Sequence, residues 1–128
     1  MDSKIILKYK DRSIGWLKTK ATRHFNKFIR ERDKDKGCIS CDARVQEAGH
    51  FYSGGHYSCL KFEEDNVHGQ CVRCNHFLSG NLNEYRRNII QRISVDELER
   101  LDRIADTYKR RPFKWDRFYL IEIIEKYK

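Results

Sequence analysis

Proline is nearly missing from this chain, with one residue in 128. Low-complexity tracts are missing too, and together these absences exclude a proline-rich linker or a long disordered tail. No stretch approaches the roughly 18 consecutive apolar residues that a membrane helix needs. The first ten residues offer only Ile5, Ile6 and Leu7 as an apolar centre, too short for a secretory signal, so a soluble cytoplasmic protein is expected. Acidic charge is in deficit: 27 Lys and Arg face 19 Asp and Glu, a net charge of +8. That balance excludes an acidic solvating tail and favours a polyanionic partner, nucleic acid first.

What is present divides into three pieces within one expected domain, residues 1–128. Residues 1–36 carry 12 basic and 5 acidic residues, residues 37–80 carry 3 and 5, and residues 81–128 carry 12 and 9. A charge-poor middle rich in Cys, His and Gly therefore lies between basic flanks. In the first flank Trp16, Leu17, Ala21, Phe25, Phe28 and Ile29 recur at helical spacing, which predicts a basic amphipathic helix over Ser13 to Arg32. In the last flank Leu82, Tyr85, Ile89, Ile90 and Ile93 form one apolar stripe. Ser94-x-x-Glu97 reads as a capping box that opens a helix through Tyr108. Pro112 interrupts, and Trp115 to Ile124 predict a final helix. The expected class is α+β and mostly helical, because the middle piece reads differently.

Cys38-Ile-Ser-Cys41 and Cys71-Val-Arg-Cys74 are separated by 29 residues. Two residues between thiols let one tight knuckle aim both sulfurs at one ion, and two knuckles complete the tetrahedral four-sulfur shell that Zn²⁺ prefers. Such a closed shell has no open position, so the metal would be structural. An iron–sulfur centre and unligated thiols are the alternatives. Cys59, the odd one, reads as a small buried hydrophobe. Between the knuckles, His50 stands at the expected end of a strand and Gly54-Gly55 permits a turn. Tyr57 to Phe62 is expected to return as a second strand. Asn66 follows the acidic turn Glu63-Glu64-Asp65, and Cys71 to Asn75 should open a helix.

Strand, strand and helix between zinc knuckles resemble the His-Asn-His, or ββα-metal, nucleases. The strings Ala48-Gly-His50-Phe, Leu60-Lys-Phe-x-Glu-Asp-Asn66-x-His68-x-Gln-Cys71-x-x-Cys-Asn75 and Leu78-Ser-Gly-Asn81-x-x-Glu-Tyr-Arg86 sharpen this. They are similar to the phage NinG family, the Rap recombination nucleases. The likeness reaches outward through Phe28-Ile-Arg-x-Arg-Asp33. It implies an endonuclease that cuts branched DNA, Holliday junctions and D-loops, in the cytoplasm of a bacterial host. It implies His50 as general base, Asn66 as the brace of the loop, and Asn75 as a ligand of a catalytic Mg²⁺ or Mn²⁺. His68 is carried as a further active-site candidate, and Glu84 and Arg86 as residues within reach of the scissile phosphate.

The residue types suit the task. Phosphodiester hydrolysis needs a base that titrates near neutrality and a cation beside the phosphate. The chain departs from the pattern at Gly49 and Ser79, where many relatives of this class place further metal ligands. His68, Asp65 and His56 are the remaining donors. Symmetric cutting of a four-way junction takes two nicks, which a homodimer would supply. Two non-catalytic readings stand beside the enzyme: a zinc-stabilised mediator that binds branched DNA without cutting it, and a zinc-ribbon module for a protein partner.

Overall fold

The structure is a computed structural model that describes residues 1–108 and 111–128. Its elements are α1 (Ser3–Lys8), α2 (Ile14–Asp33), β1 (Glu47–His50), β2 (Val67–Gln70), α3 (Leu82–Ile89), α4 (Val95–Tyr108) and α5 (Arg117–Tyr127). A π-helical turn, Arg73–Phe77, lies between β2 and α3. The fold is α+β and mostly helical, with one small sheet. The residues group into two compact units: Met1–Phe28 with Lys114–Lys128, and Ile29–Phe113. This grouping cuts across the three charge blocks.

In the unit formed by the two chain ends, each helix begins on a side-chain cap. Asp2 caps α1, the Ser13 hydroxyl accepts from Trp16 N at 3.0 Å, and Asp116 caps α5. These caps satisfy backbone donors that have no intrahelical partner. Leu17, Ala21 and Phe25 recur every fourth residue on α2 and are fully buried, as are Leu120 and Ile121 of α5. Tyr127 meets Phe25 edge-on, with ring centroids 5.1 Å apart.

The second unit holds the Cys-rich segment. β1 and β2 pair antiparallel with Glu47 opposite Gln70 and His50 opposite Val67. Ile39, Phe51, Leu60, Tyr85, Ile89 and Leu101 form its core with Leu98 and Ala105 of α4. Tyr85, Ile89 and Ile93 thus face inward with Leu98, Leu101 and Ala105 of α4, whereas Leu82 and Ile90 of the predicted stripe are exposed. Ser94 caps α4 by accepting from Glu97 N at 3.1 Å.

One expectation is corrected. Tyr57 to Phe62 is not the second strand: Ser58–Leu60 is a 3₁₀ turn, with Leu60 N donating to Tyr57 O at 2.8 Å. The returning strand is Val67–Gln70, and all four of its residues are buried. Its lack of alternation hid it from a period-two reading. His68 Nδ1 and Gln70 Nε2 find partners inside the protein, while Gln70 Oε1 is buried without one. Strand, strand and helix nevertheless occur in the expected order.

Candidate functional site

The four sulfurs of Cys38, Cys41, Cys71 and Cys74 lie within 4.8 Å of one another. Cys41 and Cys71 are 3.6 Å apart at sulfur. A tetrahedral shell with Zn–S near 2.3 Å places sulfurs about 3.8 Å apart, and a disulfide would need about 2 Å. The four cysteines can therefore hold a structural zinc. Their knuckles are shaped locally: Gly37 adopts φ +81°, and a Cβ there would stand 2.5 Å from the Asp42 carboxylate. Cys38, Cys71 and Cys74 are buried, and burial pushes the Cys74 thiol up to about 12. A bound cation reverses that preference, since thiolate is the ligand form.

Two buried polar side chains hold the hairpin in place, and one of them ties it to this cluster. Asp33, fully buried at the end of α2, accepts from Gly69 N at 2.8 Å and from Arg32 Nε at 2.7 Å. Burial opposes its ionisation, but the Arg32 and Gly69 hydrogen bonds outweigh this and hold the carboxyl low. Arg32 also donates to Val67 O at 2.7 Å, so one ion pair grips two residues of β2. On the other side, Gln70 Nε2 donates to Ser40 Oγ at 2.9 Å and to Gly80 O at 2.8 Å. Gln70 thereby joins a residue inside the first knuckle to one beyond the second.

Gln70 also explains Gly49. A Cβ on Gly49 would fall 1.8 Å from Gln70 Oε1 and 2.8 Å from its Cγ. The space that a side chain at position 49 would need is filled by a neighbouring side chain. Residues 47, 49, 68 and 70 share one face of the hairpin, and 48, 50, 67 and 69 the other.

His50 ends β1 and borders a cleft of about 370 Å³ with Phe51, Tyr52, Tyr57, Ser79, Leu82, Asn83 and Arg86. Its Nε2 lies 2.9 Å from Lys61 O. A carbonyl only accepts, so Nε2 carries the proton and Nδ1 keeps its lone pair. Burial lowers the His50 pKa, with the Lys61 carbonyl opposing, so the neutral ring is the form present at neutral pH. An imidazole in this tautomer can accept a proton at Nδ1.

Asn66 stands directly beneath this strand end, fully buried. Its Oδ1 accepts from Tyr52 N at 2.9 Å, and its Nδ2 donates to Tyr52 O and Leu60 O, each at 3.0 Å. One neutral amide thus staples the residues after His50 to the 3₁₀ turn. The structure brings His50 and Asn66 together.

It does not bring the other two candidates into the cleft lining. Asn75, on the π-helical turn, donates from Nδ2 to Glu47 Oε1 at 2.9 Å. Glu47 also pairs with His76 Nε2 at 2.9 Å. His68 pairs with Gly49 on the hairpin face opposite His50 and is 2% exposed. Its Nδ1 meets the Tyr85 hydroxyl at 3.2 Å, and that hydroxyl donates to Gly49 O at 2.7 Å. Burial, with the nearby Arg32 charge, pushes His68 down to about 3, so it is neutral. Among the other donors, Asp65 pairs with Arg100 at 3.3 Å. His56 is exposed and 2.9 Å from Ser53 Oγ.

Sequence reasoning passed over Gln70, Glu47 and Asp102. Asp102 pairs with Arg86 at 2.7 Å and takes the Tyr52 hydroxyl, which fixes Arg86 at the cleft edge over the Phe51 ring. Only Arg86 carried a signal, through its place in the Glu-Tyr-Arg string. Glu84 instead pairs with Arg87 at 3.5 Å.

Fold and site define a small, mostly helical α+β protein in which a four-cysteine cluster able to hold zinc closes on a two-stranded hairpin. The chain belongs to the NinG family: the model for the bacteriophage lambda NinG protein matches residues 3–128. It is 46% identical over 90 residues to protein ninG of Escherichia phage lambda, and equally to those of Salmonella phage P22 and Escherichia phage 933W. The match covers 66% of this chain and 44% of each relative, so the chain spans less than half their length. No solved structure matches it. No helix among the described residues is long and apolar enough to cross a membrane.

Proposed function

We propose that this chain is a metal-dependent endonuclease that cuts branched DNA, with His50 as the general base. The observation that carries the reading is the His50 imidazole at a strand end, its Nε2 committed to Lys61 O at 2.9 Å and its ring beside an open cleft. In that arrangement Nδ1 takes a proton from water as the water oxygen attacks phosphorus, and the 3′ oxygen leaves. Asn66 contributes rigidity, because it holds Tyr52 and Leu60 on either side of the base. A Mg²⁺ or Mn²⁺ ion would neutralise charge on the phosphate and the leaving oxygen. Asn75 is the ligand that the family resemblance offers for such an ion, and its hydrogen bond to Glu47 uses Nδ2 and leaves the carbonyl for ligation. It lies outside the lining of the His50 cleft, so water and substrate phosphate would supply the other ligands. Arg86, at the cleft edge, is placed to meet a phosphate oxygen.

Cleavage of a labelled four-way junction and of a matched linear duplex, with added Mg²⁺, tests this. Wild type should cut the junction, and His50→Ala should bind it without cutting. Tight binding with no cutting by wild type, in Mg²⁺ or Mn²⁺, would sink the nuclease. A second reading, a non-catalytic binder of branched DNA, would then stand. It is favoured by the crowding of Gly49 by Gln70, which leaves no room for a larger side chain at position 49.

A further inference from the structure

The chain's positive charge is concentrated in one of the two units. Residues 1–28 and 114–128 together carry 12 basic and 5 acidic residues, a net +7. Residues 29–113 carry 15 and 14, a net +1. The smaller unit thus holds nearly all of the excess. Three of its five acids are already engaged: Asp2 and Asp116 cap helices, and Glu125 binds the Tyr9 hydroxyl at 2.6 Å and Lys128 at 2.7 Å.

Lys20, Arg23 and Lys27 share one face of α2 by their spacing. Among the described residues no ion pair joins any of them to a carboxylate. Their field is felt at His24, whose pKa falls through burial first and then through the charges of Lys20, Arg23 and Lys27. Several cations are held on aromatic faces, with Arg12 4.4 Å and Lys20 of the row 5.9 Å from the Trp16 ring and Lys18 5.0 Å from Trp115. A compact unit that keeps cations without a carboxylate partner in one row suits a row of phosphates, because each neutralised phosphate releases condensed counterions.

We propose that the unit built from the two chain ends is the DNA-backbone-binding module of this protein, with Lys20, Arg23 and Lys27 as its contact row. The inference rests on the DNA reading above and goes further by assigning affinity to one unit and cleft chemistry to the other. Its test is the salt dependence of junction and duplex binding by the full chain, without added divalent cation. The triple variant Lys20→Gln, Arg23→Gln, Lys27→Gln should reduce the slope of log K against log salt by roughly 2.7 for three lost phosphate contacts. A matched triple in the other unit, Lys34→Gln, Arg44→Gln, Arg103→Gln, should keep the parent slope. Both tryptophans of the chain, Trp16 and Trp115, lie in the proposed module, so their emission reports DNA arriving there. Zinc content and circular dichroism establish that both variants are folded. The parent slope in the first triple, or its loss in the second, overturns the proposal. Because binding is read directly, a chain that binds this way without cutting refutes the nuclease and keeps the module.

Discussion

His50 and His68 share one chemistry, both being imidazoles on the hairpin, yet the register turns them to opposite faces. His50 borders the cleft, and its lowered pKa makes the neutral base available below the ordinary histidine value of 6.5. For the proposed nuclease, the acid limb of the cleavage rate should therefore lie below pH 6.5. His50→Ala should reduce the rate by about 10² to 10⁴ while junction binding and zinc content hold. His68 does different work. Its fold value of about 3 lies below its ordinary 6.5, so between those limits the unfolded chain takes up a proton that the native state refuses. Stability contributed by the neutral ring is complete above pH 6.5 and declines as pH falls toward 3. His68→Gln should flatten the fall in stability across that window by about a kcal/mol per pH unit, read by urea denaturation at several pH values.

At the scale of the element, the hairpin is short and its second strand is polar, so its stability comes from what grips it. Two isolated strands of four residues would be marginal in water. Asp33 with Arg32 holds the Gly69 side, and Gln70 locks β2 to Ser40 and Gly80. Gly49→Ala should destabilise the second unit by about 1–3 kcal/mol through overpacking against Gln70. That cost should shrink in a Gln70→Ala background, since the double-mutant cycle isolates the contact. Asp33→Ala should cost roughly 3 kcal/mol, because it strips partners from the Arg32 guanidinium and the Gly69 amide. The helices were readable from spacing because their stripes face a core. β2 was not, because every one of its residues is buried and two of them are His and Gln. Its environment depends on Asp33, Ser40 and Tyr85, none of which is its neighbour in sequence.

For the whole molecule, the four cysteines join segments on either side of the hairpin. Metal analysis of the purified chain should return one zinc per chain. Chelation should lower the thermal midpoint and disorder the second unit, since binding free energy at such a site is folding free energy. Cys38→Ser should do the same without chelator. The two chain ends collapse into one unit although more than eighty residues separate them, and charge counted along the sequence could not show that they act together.

By itself the sequence determined the local matters: most of the helical stripes, the Ser94 capping box, the paired knuckles and the family resemblance. Each of these is a relation between residues close in the chain, or a pattern of types at set spacing. Tertiary structure alone decided which strand returns beside β1, that His68 turns away from His50, and that Asn75 is engaged by Glu47. It also decided that Gln70 fills the space a ligand at position 49 would need. These depend on which distant side chains arrive to satisfy a buried polar group. A linear pattern does not contain that information, because the partner of a buried donor or acceptor is chosen by packing.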